Sequence, residues 1–187
     1  MARVHLVLEP LSDGETGLVF ENRVVGGAVP DGFVPTVKKA LHQAMQTGVL
    51  AGYPVLGMKA ALIDGTFHAK DSTSMAFDLA TRDAFKIGFA KADPVLLEPI
   101  MRVVITTPND YLGAVIGDLQ SRRGSVLALD MKAGAHEIIA TVPLANMFNY
   151  VNAVRSLSQG RASFTMQLGH YAPMPKALQE KVLDAPY

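Results

Sequence analysis

The second half of the chain says the same thing twice, and that repetition constrains the fold more than any other feature. Pro108 to Met131 and Pro143 to Met166 are stretches of equal length set 35 residues apart. In each, a helical run ends on arginine and glycine, Arg122-Arg123-Gly124 and Gln159-Gly160-Arg161, before an alternating run begins. Such an echo is what a doubled strand-helix-strand unit produces. Glycine at these ends predicts left-handed closing residues, and arginine there complements the negative end of a helix dipole.

Hydrophobic periodicity fills in the rest. From Met101 it predicts a strand over 102–107, a helix over 110–122, strands over 125–130 and 137–142, a helix over 146–158 and a strand over 161–168. That order, βαββαβ, is the ferredoxin-like split unit. Upstream, strands are expected over 3–8 and 18–25, joined by the turn-rich "SDGETG". Val37, Ala40, Leu41, Ala44 and Met45 then recur at helical spacing, with Pro35 near the start and Gly48 at the end. "YPVLGMKAALID" reads as a strand stopping at the Asp64-Gly65 turn signal, and a helix capped by Asp71 or Ser72 should run to about Lys91. Two prolines in "DPVLLEPIM" mark a boundary near 96–99, giving domains 1–97 and 98–187.

Composition removes several kinds of chemistry. Seventeen basic and seventeen acidic residues balance, so a nucleic-acid partner would have to be met by local clusters. No cysteine is present, which excludes disulfides, thiolate zinc sites and thiol nucleophiles and suits a reducing cytosol. No apolar run is long enough for a membrane span or a signal peptide, so a soluble, cytoplasmic protein is expected. Gly27 and Gly32 have phosphate-loop spacing, but Phe33-Val34 stand where Lys-Ser/Thr are needed. The five histidines are scattered and make no metal-binding spacing.

Two clusters remain. "DGTFHAKDSTS" puts His68, Lys70, Asp71 and Ser72 between a strand and a helix. It can be a capped loop, a His68–Ser72 acid-base pair, or an RNA-contacting tip backed by a helix N-terminus. Arg122, Arg123, Arg155 and Arg161 lie at one topological level of the repeat. They either close helix ends or form a phosphate-binding patch.

Longer words then point to a family. "VVGGAVP", "GVLAGYPV", "DGTFHAKDS", "AFDLATRDAF", "LLEPIM", "VIGDLQSRRG", "VPLANMFNY" and "RSLSQGRASFTM" stand in one order from Ala2 to about Pro175. In these the chain resembles the C-terminal part of bacterial elongation factor G. The resemblance implies an α+β chain of two domains, a fourth domain of the ribosomal protein S5 domain 2-like kind and a ferredoxin-like fifth. It implies partners, namely the ribosome, its RNA and the tRNA–mRNA pair. It also implies a longer protein whose GTPase domains precede Met1, so that GTP and magnesium belong there, this chain holds no cofactor, and it is not itself an enzyme. His68 takes the place of the family's tip histidine. Lys70, Asn149 and Ala114 depart from the family, which more often has an apolar residue, glycine and aspartate there. The rival expectation is a stand-alone ferredoxin-like module that binds a small regulatory molecule, since that fold serves many functions.

Overall fold

Alternation organises the second half as expected. Met101, Val103, Ile105 and Thr107 are buried, while the residues between them are more open. The computed structural model describes residues 2–12 and 14–184. Its elements are β1 (Arg3–Glu9), β2 (Gly17–Asn22), α1 (Val34–Thr47), β3 (Gly57–Thr66), α2 (Ser74–Lys91), β4 (Leu97–Pro108), α3 (Asn109–Ser121), β5 (Ser125–Lys132), β6 (Ala135–Pro143), α4 (Tyr150–Leu157), β7 (Ser163–Pro173) and α5 (Lys176–Leu183). Single 3-10 turns at Asp31–Phe33 and Leu144–Asn146 precede α1 and α4. The chain divides into two compact units, Leu96–Pro175 on one side and Met1–Val95 with Lys176–Tyr187 on the other. A cut after residue 97, with everything beyond it in the second domain, therefore needs correction. The change comes two residues earlier, just before β4, and the unforeseen α5 groups with the first unit.

In the second unit the sheet order is β5-β6-β4-β7, every neighbouring pair antiparallel. This is the βαββαβ topology the repeat implies. α3 and α4 supply Val115, Leu119, Tyr150 and Val154 to a core with Val103, Ile105, Ile138, Ala140 and Val142 from the sheet. Leu127 is skipped between β5 and β6, and Gly169 between β7 and β4, so each edge strand carries an irregularity. α4 is shorter than expected because Asn149 takes a left-handed φ of 63° and stops helix from forming ahead of Tyr150.

The first unit is a three-stranded sheet in the order β1-β3-β2, β3 antiparallel to β1 and parallel to β2. β1 and β2 are thus not neighbours, because α1 carries the chain over and inserts β3 between them. Val37, Leu41, Ala44 and Met45 of α1 and Phe77 and Phe85 of α2 meet Val4, Met58, Ala60 and Leu62 of the sheet. Asp64-Gly65 is not a turn, since β3 continues to Thr66. Gly65 is demanded by packing instead: a Cβ there would lie 2.4 Å from Val29 and 2.6 Å from the Arg3 carbonyl.

Helix ends explain the repeated arginine-glycine words, with one change. After α3 it is Arg123 that is left-handed (φ 63°), while the Gly124 N–H donates to the Leu119 carbonyl (2.8 Å) and Arg123 N–H to Gln120 (3.1 Å). This is a Schellman closure with a non-glycine at its left-handed position. Gly124 is required because a Cβ would sit 2.5 Å from the Leu119 oxygen. After α4 the Gly160 N–H donates to Arg155 (2.8 Å), and both Gln159 (φ 51°) and Gly160 (φ 76°) are left-handed. Gly124→Ala is expected to destabilise the second unit by about 1–3 kcal/mol. Gly117→Ala, in open space inside α3, should stabilise it by about 0.5–1 kcal/mol. Urea midpoints that move in the same direction would refute the assignment.

Tyr150 is the largest fully buried side chain, packed edge-on against Phe164 (4.9 Å) with the Arg122 guanidinium 5.1 Å from its ring centre. Burial first, then the Asp118 charge, pushes its hydroxyl up to about 12, with Arg122 opposing. A folded value above the unfolded one means that this contribution is complete below about pH 10 and is lost as pH rises toward 12. Tyr150→Phe should therefore lose about 1–3 kcal/mol less stability than the parent over that interval, measured by urea titration at each pH.

Candidate nucleic-acid interface

One end of the first unit gathers its polar loops. β3 ends at Thr66 opposite Arg3, and β2, parallel to β3, also ends there. The loop after β2, the start of α1, the loop 67–73 and the start of α2 therefore share this end. Both helices turn their positive ends toward it.

Loop 67–73 is fixed by its own backbone. The His68 carbonyl accepts from Asp71 N–H (3.0 Å) and Ser72 N–H (2.9 Å), and the His68 N–H donates to Ser72 Oγ (2.9 Å). Ser72 is buried, so its hydroxyl holds the turn and is not presented to the imidazole as a nucleophile. The N-cap of α2 is Thr73, whose Oγ1 accepts from Ala76 N–H (3.2 Å), correcting the expectation of Asp71 or Ser72. Phe33 anchors the base of the loop, 5.6 Å from Phe67 and 4.7 Å, stacked, from Phe77. His68, Lys70 and Asp71 stand exposed on this fixed turn. Sequence reading missed the three-phenylalanine anchor because its members are distant along the chain.

The four arginines divide in two. Arg122 Nε donates to Asp118 (2.8 Å) and its Nη1 to the Asn146 carbonyl (2.7 Å). Arg123 makes a two-pronged pair with Glu98 (2.6 and 3.1 Å), whose carboxylate is buried. That carboxylate holds the Arg123 guanidinium above its ordinary pKa. These two side chains close helix ends. Arg155 and Arg161 are exposed beside the end of α4. Glu98 was not anticipated; a lone glutamate between prolines gives no sign that it will be buried.

The surroundings of Arg155 and Arg161 carry a signal present in the sequence but easily overlooked. From Ile138 to Gln179 there is not one Asp or Glu. From the back half of β6 through β7 the Lys and Arg residues are Arg155 and Arg161 alone, with no carboxylate in that stretch beside them. Register puts Arg102, Val104 and Thr106 of β4, Ile139 and Thr141 of β6 and Thr165 and Gln167 of β7 on the sheet face away from the helices. None of these seven residues carries the aromatic ring on which sheet-type RNA readers stack bases. Among the described residues no helix is long and apolar enough to cross a membrane.

Comparison with known proteins agrees with the two units. Residues 1–93 match the family model for elongation factor G, domain IV, and residues 95–182 match that for the elongation factor G C-terminus. The chain is 51% identical over 181 residues to elongation factor G of Rhodopseudomonas palustris (strain BisB18), covering 97% of this chain and 26% of that protein. The crystal structure of a Thermus thermophilus protein superposes with a TM-score of 0.86 at 38% identity, over 96% of this chain and 27% of that one. The chain thus spans about a quarter of the length of the relatives it matches. Over that quarter, both units and nearly every residue place the chain in the elongation factor G family, in the region of domain IV and the C-terminal domain.

Proposed function

We propose that this chain is the ribosome-binding part of a translational GTPase, with the loop end of the first unit acting at the decoding centre during movement of tRNA and mRNA. The observation that carries the reading is the fixed turn at 68–72. Three hydrogen bonds hold its backbone while His68 and Lys70 project from it. A rigid mount lets a small exposed imidazole act as a wedge, because a group that must occupy a set position cannot spend its binding energy on being ordered first. The positive ends of α1 and α2 behind it favour phosphate. GTP hydrolysis belongs to the remainder of such a protein, and no step of it is assigned to residues here.

The second unit lies against ribosomal RNA in this reading, through Arg155 and Arg161 and not through Arg122 and Arg123. The first two are exposed in a stretch free of carboxylates, and the other two are occupied by Asp118, Asn146 and Glu98.

Two experiments test the two halves separately. In the full-length factor, His68→Ala should slow single-turnover translocation about tenfold or more. Its thermal midpoint should hardly move, as for surface substitutions generally; a normal translocation rate removes His68 from the role. For the second unit, Arg155→Gln and Arg161→Gln should each lower the salt dependence of ribosomal-RNA binding by about one logarithmic unit. Arg123→Gln should lower stability instead, by about 1–3 kcal/mol, because the buried Glu98 loses its charged partner. Salt slopes that respond to Arg123 and ignore Arg155 would reverse the assignment.

A further inference from the structure

We propose that Phe33 is a positioning residue for His68: seated between Phe67 and Phe77, its ring sets where the turn at 68–72 stands on the first unit. This rests on the reading of His68 as the wedge and names what aims it.

The three hydrogen bonds of the turn run among residues 68, 71 and 72. They fix its shape, but its direction depends on what holds the two stems. At the far stem Ser72 is buried and Thr73 caps α2. At the near stem stands Phe67, 37% exposed, directly after the last residue of β3. Its ring lies 5.6 Å from that of Phe33, tilted by 39°. Phe33 is in turn stacked at 4.7 Å on Phe77, which is fully buried in the core of the first unit. Rings at such separations attract beyond the area they bury and prefer particular mutual orientations. A row of three rings thus leads from the core to the residue before His68.

Phe33 can serve as a support because its own place is set independently of the turn. It ends the 3-10 turn Asp31–Phe33, its N–H donates to the Pro30 carbonyl (2.9 Å), and α1 begins at the next residue. Just upstream, the buried Val29 seats against Gly65, where a Cβ would come within 2.4 Å of it. The segment between β2 and α1 is therefore docked twice, Val29 against Gly65 and Phe33 against Phe67. An aliphatic side chain at position 33 would fill part of the space without offering a ring face to both neighbours. The turn would keep its internal hydrogen bonds and lose its aim. A side chain that only aims another contributes while the aimed group is present, so the two losses do not add.

The test is a double-mutant cycle in the full-length factor, read as the single-turnover translocation rate. Phe33→Leu should slow translocation about three- to tenfold and leave GTP hydrolysis on the ribosome at the parental rate. Phe67→Leu, which opens the same contact from its exposed side, should do the same, whereas Phe33→Tyr keeps the ring and the rate. In the His68→Ala background neither leucine variant should slow translocation further. Slowing by the same factor with and without His68 would make the ring contact merely structural and overturn the proposal. Parental rates in both leucine variants would overturn it too, and a slow His68→Ala would then leave the role of His68 standing. If His68→Ala translocates normally, the reading of the turn falls and this proposal with it.

Discussion

Four helices, α1 to α4, each close through a residue of positive φ that comes one or two positions after the last helical residue. These are Gly48, Asp93, Arg123 and Gln159, and only the first is glycine. A non-glycine residue there costs about 1 kcal/mol or more, so something must offset it. At Arg123 the compensation is visible. The left-handed residue directs a guanidinium onto the buried carboxylate of Glu98, at the start of β4, and ties the end of α3 to the strand from which the unit begins. Glycine at that position would relax the backbone and abandon the carboxylate. The glycine is found one residue later, where Leu119 leaves no room for a side chain.

That constraint decides which cations face solvent. An arginine recruited to close a helix end cannot also be offered to a phosphate without exposing the group it neutralises. Arg122 and Arg123 are committed in this way, whereas Arg155 contributes its backbone carbonyl to the closure of α4 and keeps its side chain exposed. A chain of zero net charge therefore still offers two exposed arginines in a continuous stretch that has no carboxylate of its own. Weak net charge also limits non-specific attraction to nucleic acid, leaving local geometry to select the contact.

The sequence was most legible where a period repeats. β4 through β7 and the two helices between them follow from alternation and the 35-residue echo, and their order implies the sheet. Long apolar helices such as α1 were equally plain, with Pro35 and Gly48 at their ends. What was not legible depended on contacts between distant residues. Asp64-Gly65 reads as a turn until the crowding by Val29 and Arg3 supplies another reason for the glycine. Ser72 and Thr73 are equally good caps on paper, and only the closed turn at His68 takes Ser72 out of that role. The arginines were found as a group, but their division required Glu98, whose burial no local pattern announces. Phe148 lies inside a word that marks the family, yet no local pattern announces that it is 75% exposed.

That neighbour also shows how a departure from a family word can leave the conformation intact. Glycine is usual in the resemblance where this chain has Asn149. A β-branched or bulky residue could not hold φ at 63° without strain, but asparagine is among the few side chains that visit this region readily. Its carbonyl accepts from the N–H groups of Asn152 and Ala153, and its Oδ1 accepts from the Asn152 amide. The first turn of α4 is thereby held from both the backbone and the side chain. Lys70 and Ala114, the other departures, sit at exposed positions and impose no backbone demand. Conformation is thus preserved at the one departure where the backbone requires it, and chemistry varies where only solvent or a partner would register the change.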